Sequence, residues 1–574
     1  MATENLLELD NLKRRFGYSD AKILRALKLL SKSKSADGQS LIRFHETLLF
    51  FRAYPQSARV LHQVENILKS FGKRVLQLRE SGEDLTPLDD PEVSGFTVTS
   101  VTSNFSYRIV RWLVEKYPRQ VSIDWDSFTE EDRFGAQMPR FLPLLEEDAL
   151  VEAHVPYREW LDEARGRVNE LGWIIARFES LSLLPARYPD EPGLRTSLPY
   201  EVTAEAYDSL KLNVTWKFSN RASRTAMKLP VRKVFFHRQP LIQRREISLA
   251  TELASPEIKV ARISRAAGEK ILDMARETSA VRYRELHGFT YGDASRVLKA
   301  HLGRGVDIFV MGVPPQHRLP LRAYHAALIF KNGVPVAYFE GLSIFERMES
   351  GFNLYYTFRD GETAWIFARV LRLMNQLLGV TVFSIDPYQV GHKNEEGIES
   401  GAFWFYRKLG FRPVRPSLLK LAQSEERRMA ADSMHRTPAR TLRKLAAGHM
   451  LFEMTGARSG KWDRFLVRNI GLAVQRRMAP KFAGEAHKMR RHSNEVVACL
   501  LGLKPEDWRE AEQAVFESQA IVLAMIPDID GWNPTERKNA AIILEAKARG
   551  NEARYLRLMQ KHARLREAVI KLGS

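Results

Sequence analysis

The sequence predicts an α+β chain of several domains, in which one mixed β-sheet carrying helices is set between mainly α-helical N- and C-terminal regions. Three observations predict it. At 574 residues the chain is too long for a single hydrophobic core. Apolar residues recur three and four apart through most of both ends. Between Val306 and Val414 the pattern changes to short apolar or alternating runs bounded by turn residues. The divisions that follow are a helical segment over residues 1–200, a basic extended and helical connector over 201–299, a sheet-bearing segment over 300–416 and a basic helical segment over 417–574.

In the first segment, residues 22–30, 57–78 and 105–115 carry the helical period, and the Gly-, Pro- and acid-containing stretches 81–95 and 185–199 read as exposed connections. Residues 211–250 mix β-branched and aromatic residues with cations, and 228–238 reads as a strand or an extended linker. A helical pattern returns over 257–278. Strands are then predicted over 306–313, 324–331, 334–342 and 352–358, with Asn332-Gly333 as a two-residue type I′ hairpin turn. Next come a helix over 362–378 closed by Gly379, a strand over 380–385, a helix over 395–409 closed by Gly410 and a short strand over 412–414. Beyond Pro416 the chain reads as helical, with breaks at Pro438, 456–460, Pro480, Pro505 and 528–534.

Composition narrows the function classes. Cys499 is the only cysteine, which excludes an internal disulfide and a cysteine-rich zinc site, and its apolar helical surroundings read as a small packed side chain. No apolar run approaches the roughly 20 residues needed to cross a bilayer, and acids stand where a signal peptide needs a basic start, so the expectation is a cytoplasmic chain without membrane contact. The net charge of +19 is concentrated. Residues 211–250 hold 10 cations against 1 acid, and residues 421–500 hold 16 against 7, so nucleic acid or another polyanion could be met there.

Several look-alikes fail on spacing. Residues 456–461 have three residues between the glycines where a P-loop needs four, and Trp462 replaces its Ser or Thr. Asp124, Asp126, Glu130, Glu131 and Asp132 read as helix-capping acids. His435, His449, His487 and His492 have no Cys or acid at ligand spacing, so no metal is expected.

The chemistry is sought where residues 352–358 run into Arg359-Asp-Gly-Glu-Thr-Ala364. That segment opens a helix, whose first turn has free N–H groups and the positive end of the dipole, a place that binds phosphate. Arg359 adds a charge and Gly361 lets the main chain approach a ligand, whereas Asp360 or Thr363 could cap the helix instead. Further on, Ala402-Phe-Trp-Phe-Tyr406-Arg-Lys-Leu-Gly-Phe411 resembles the final helix and following strand of the GNAT acyltransferase superfamily. With the preceding strand, loop, helix and strand, the likeness covers about residues 300–416.

The resemblance implies an enzyme moving an acyl group from acetyl-CoA or another acyl-CoA to an amine acceptor. Arg359, Gly361, Glu362, Thr363 and Ala364 would cradle the donor's pyrophosphate, Tyr406 would protonate the departing thiolate, and the donor arm would lie where strands 352–358 and 380–385 splay. On the residues alone, Tyr406 shares a helix stripe with Ala402, Phe403 and Leu409 and reads equally as core. Acyl transfer needs the ammonium to lose a proton, so a carboxylate or histidine must stand near the cleft. Candidates are Glu340, Glu346, Glu349 and His325, with Glu340 and Glu349 joining Tyr406 in the expected catalytic set. The alternatives are the same fold with an aminoacyl-tRNA donor, or a catalytically silent GNAT-like scaffold or nucleic-acid-binding protein using the basic segments.

Overall fold

A computed structural model describes residues 2–13, 20–129, 133–135, 157–181, 199–456 and 460–574. Residues 185–198 of the connection expected at 185–199, the acids Glu130, Glu131 and Asp132, and residues 457–459 lie outside the described residues. The chain forms two compact units. The first comprises Met1–Val231, Phe236–Gln239 and Lys270–Thr290, and the second Arg232–Phe235, Pro240–Glu269 and Tyr291–Ser574.

The first unit is mainly helical. Its helices include Asp20–Lys32, Gly38–Ala53, Ala58–Lys69, Phe71–Glu80 and Tyr107–Lys116, so the long helix expected over 57–78 is in fact two, meeting at Ser70. A small antiparallel sheet joins β1 (Ser100–Ser103), β2 (Val121–Ile123) and β3 (Val214–Lys217), with β3 in the middle, whereas residues 228–238, expected as a strand or an extended linker, form no strand. Trp216 of β3 is fully buried against Trp112, Tyr117 and Phe218. Part of the first basic window serves this interior. Arg224 is buried on the Glu46 carboxylate at 2.5 Å, and Lys228 reaches Glu65 at 2.5 Å.

The second unit is built on a mixed sheet of nine strands among the described residues: β4 (Val260–Arg262), β5 (Leu298–Gly303), β6 (Val306–Met311), β7 (Ala323–Lys331), β8 (Val334–Ile344), β9 (Arg347–Leu354), β10 (Val382–Ile385), β11 (Arg412–Pro413) and β12 (Met450–Glu453). The order is β11-β12-β10-β9-β8-β7-β6-β5-β4, and every neighbouring pair is antiparallel except β9 with β10. The hairpin is as expected, with Asn332 at φ 49° and Gly333 at φ 82°. Gly379, at φ 71°, ends the helix Thr363–Leu378.

Other elements differ from expectation. The sheet runs past both ends of residues 300–416: β4 lies where a helix was expected from 257, that helix being Arg265–Ala280, and β12 lies in the segment expected to be wholly helical. The strand expected over 352–358 starts at Arg347 and ends at Leu354, after which Tyr356–Phe358 forms a 3-10 turn. The helix expected over 395–409 breaks at Gly401, φ 66°, into Glu395–Glu399 and Ala402–Arg407. Cys499 is exposed rather than packed.

Helices cover one face of this sheet through an aromatic cluster. Phe367 of the Thr363–Leu378 helix lies 5.1 Å from Phe352 of β9, 5.7 Å from Tyr406 and 6.3 Å from Phe411. By strand alternation, Glu340, Leu342 and Ile344 of β8 and Arg347 and Glu349 of β9 share the other face.

His45 in the first unit yields a pH prediction. It is fully buried, 3.0 Å from Glu46 and 2.9 Å from Thr225 Oγ1, and burial followed by nearby Arg224 holds its pKa below the ordinary value. The unfolded chain therefore binds a proton that the folded chain does not, and stability is lost as pH falls below about 6.5, by at most about 1.4 kcal/mol per pH unit. Denaturant melts between pH 7 and 5 should show this slope, and His45→Asn should flatten it; equal slopes in both proteins would refute the assignment.

Candidate active site

The parallel pairing of β9 with β10 is short. Arg347, Met348 and Glu349 face Val382, Phe383 and Ser384. Beyond Glu349, β9 continues to Leu354 paired only with β8 among the described residues, while β10 ends at Ile385. There Asp386 turns the chain into the short helix Pro387–Val390 by accepting a hydrogen bond from the Tyr388 amide at 2.8 Å. The two strands therefore part after Glu349. Main-chain N–H and C=O groups of β9 that would otherwise continue the ladder face the resulting gap.

From β9 the chain passes through the Tyr356–Phe358 turn and enters the helix Thr363–Leu378. Glu362 occupies the N-cap position but makes no capping hydrogen bond. Its carboxylate is fully buried instead. It accepts from Lys331 Nζ at 3.0 Å, Arg304 Nε at 2.7 Å and the Ile242 amide at 3.3 Å. Burial brings the Lys331 pKa down to about 8 even though Glu362 opposes the shift. The amides of Thr363, Ala364 and Trp365, which have no partner within the helix, are thus spared the Glu362 carboxylate.

On the sheet face away from the aromatic cluster lies a cavity of about 180 Å³, lined by residues that include Arg322, Arg347, Glu349, Asp386, His449 and Arg468. Glu349 is the last residue of β9 paired with β10, and Asp386 follows β10 directly. His449 precedes β12. One ligand atom from each of the three acids and bases, Glu349, Asp386 and His449, lies within 4.8 Å of the others. His449 Nε2 is 3.4 Å from Asp386, and Arg322 is 3.6 Å from Glu349. Burial would raise the Asp386 carboxyl, but hydrogen bonds from His449 and the Tyr388 amide outweigh it and hold its pKa below the usual range. This spacing can hold a metal ion, contrary to the reading of His449 as isolated, although three guanidinium groups in the same cavity oppose a divalent cation.

The expected site residues divide accordingly. Arg359 ion-pairs with Glu396 and lies over the Tyr356 ring at 5.3 Å, one turn before Thr363 and Ala364 at the helix start. Gly361 donates its amide to the Phe358 carbonyl at 2.8 Å and so shapes the approach. The expectation that Glu362 contacts a donor phosphate is corrected: its side chain is drawn into the protein by two cations, and only its backbone remains at the helix start. Tyr406 is buried in the Phe367–Phe411 cluster, yet its hydroxyl makes no hydrogen bond to a described residue, and burial raises its pKa.

Of the proposed bases, Glu349 lines the cavity. Glu340 shares its face but accepts the Tyr324 hydroxyl at 2.5 Å. Glu346 is fastened to Arg566 and, at 2.8 Å, to Trp462 Nε1, and His325 has a buried Nδ1 without a partner among the described residues. Sequence reasoning missed Asp386, His449, Arg322 and Arg347. The alternation of β8 and β9 could have placed Arg347 with Glu349; no local signal connects His449 to them.

Comparison with models of known protein families, with curated proteins and with solved structures returns no match.

Removing Glu362 alone leaves the fully buried Lys331 without its carboxylate. Glu362→Leu is expected to cost about 3–5 kcal/mol, and Lys331→Met added to it should recover part of that loss. Urea unfolding of the single and double variants tests this, and a double variant less stable than Glu362→Leu would rule out the buried pair as described.

Proposed function

We propose that the chain moves an acyl group from an acyl-CoA thioester to an amine, as the resemblance of residues 300–416 to the GNAT superfamily implies. The observation that carries the reading is the parting of β9 from β10 beside a helix start that its N-cap side chain, Glu362, leaves uncapped. A gap with exposed main-chain polar groups suits the amides of a pantetheine arm, and the amides of Thr363, Ala364 and Trp365 with the Arg359 guanidinium suit a pyrophosphate. Lys331 and Arg304 support this by neutralising Glu362, a carboxylate at the helix start that would repel it.

In this reading Glu349, at the fork of the two strands, takes the proton that the acceptor's ammonium must lose, and His449 with Asp386 can pass it to solvent. The freed amine bonds to the thioester carbon as the carbon–sulfur bond breaks. Tyr406, kept protonated by burial and with its hydroxyl unclaimed, gives the thiolate its proton. The products are an amide and free thiol. Glu340, already holding Tyr324, is left to orient the sheet face.

Exposed cations at Arg427, Arg436, Arg440 and Lys444 support a polyanion contact by the C-terminal basic window, while Arg443 is taken by Glu395 at 2.8 Å. An aminoacyl-tRNA donor or a binding-only role would use those cations.

Calorimetric titration with acetyl-CoA and longer acyl-CoAs tests the reading. Saturable heat is expected, weakened roughly tenfold, about 1.4 kcal/mol, by Arg359→Ala. Absence of heat with every thioester would abandon the acyltransferase.

A further inference from the structure

Arg347 is only 5% exposed and lines the cavity. Its Nε donates to Ser384 Oγ at 3.2 Å and its Nη1 to the Phe465 carbonyl at 3.1 Å; Nη2 has no hydrogen-bond partner among the described residues. No described carboxylate reaches ion-pairing distance. Burial lowers its pKa to about 10, with Glu349 and Asp386 opposing from further away, so it stays charged at neutral pH. Two other buried cations of this unit have carboxylates, Lys331 with Glu362 and Lys547 with Glu552, and a third, Arg318, gives both terminal nitrogens to main-chain carbonyls. A buried charge whose Nη2 group is left unclaimed beside a solvent-sized space calls for an anion.

The same cavity also presents the opposite sign. Glu349 and Asp386 offer carboxylates suited to an ammonium, and Arg468, exposed and without an ion pair among the described residues, adds a cation to the lining. Since a cavity near 150 Å³ holds a benzene-sized molecule, this one accepts roughly seven non-hydrogen atoms.

We infer that the acceptor amine belongs to a small zwitterion, an amino acid of short side chain, whose carboxylate binds the free edge of Arg347 and whose ammonium binds Glu349 and Asp386. Calling the ligand an acceptor rests on the acyltransferase reading; its recognition by the cavity does not. A guanidinium edge matches a planar carboxylate, and the separation of charges in one molecule uses both halves of the lining.

The test is calorimetry of the full chain with glycine, alanine and β-alanine against ethanolamine, propionate and O-phosphoethanolamine. Amino acids are expected to bind at least tenfold more tightly than ethanolamine or propionate. Glu349→Gln should weaken the amino acids at least fivefold and leave propionate unchanged, and Arg347→Met should abolish the preference. Because Arg347→Met can fail to fold, Arg468→Ala supplies a surface variant expected to weaken amino acids about threefold. Equal binding of ethanolamine and amino acids, preference for the phosphate ester, or affinities unchanged in both Glu349→Gln and Arg468→Ala would overturn the inference. A parallel acyl-CoA titration separates the two readings: donor binding without amino-acid binding removes this one alone, and the converse removes the acyltransferase alone.

Discussion

The second unit turns on one buried charge cluster, the Glu362 carboxylate held by Lys331 and Arg304. Burying these groups is unfavourable by itself, and their mutual contact offsets it. Its structural effect exceeds any net stability. Lys331 is the last residue of β7, Arg304 sits in the turn between β5 and β6, and Glu362 begins a helix, so the cluster ties three sheet segments to one helix end. It also removes from that helix end the group that would have satisfied its amides.

The gap between β9 and β10 supplies the complementary element. Sheets rarely leave main-chain groups unpaired in their interior, and here the loss arises because Asp386 diverts β10 after only three pairs. The same residue then stands beside His449 in the cavity. Strand termination and the placement of an ionisable pair are thus one event. The proposed donor site and the proposed amino-acid site both draw on β9, which lines the cavity with Arg347 and Glu349 and then leads through a turn into the helix start.

Much of the sheet was legible because its signals are local. Asn332-Gly333 needs no distant contact to turn, and Gly379 stops a helix through its own backbone freedom. What was hidden depends on partners far along the chain. Met450–Glu453 is four residues long and reads as a strand only when β10 and β11 lie on either side of it. Glu362 looked like a capping acid, and local rules could not foresee that Lys331, 31 residues earlier, would capture it. Arg359 was legible as a cation at a helix start, but its pairing with Glu396 was not. The Glu349, Asp386 and His449 group spans a hundred residues, and no spacing rule recovers such a set from one sequence.

β12 is an interior strand donated from well beyond β11, the strand it separates from β10. During synthesis β10 and β11 must therefore wait with open edges until residue 453 has emerged, since they never pair with each other. The region after residue 416 is then not an appendage to a finished sheet but its last interior piece. Until it arrives, the nascent chain exposes two strand edges to any extended segment nearby, which makes this the stage of folding at which the chain most needs shielding from self-association.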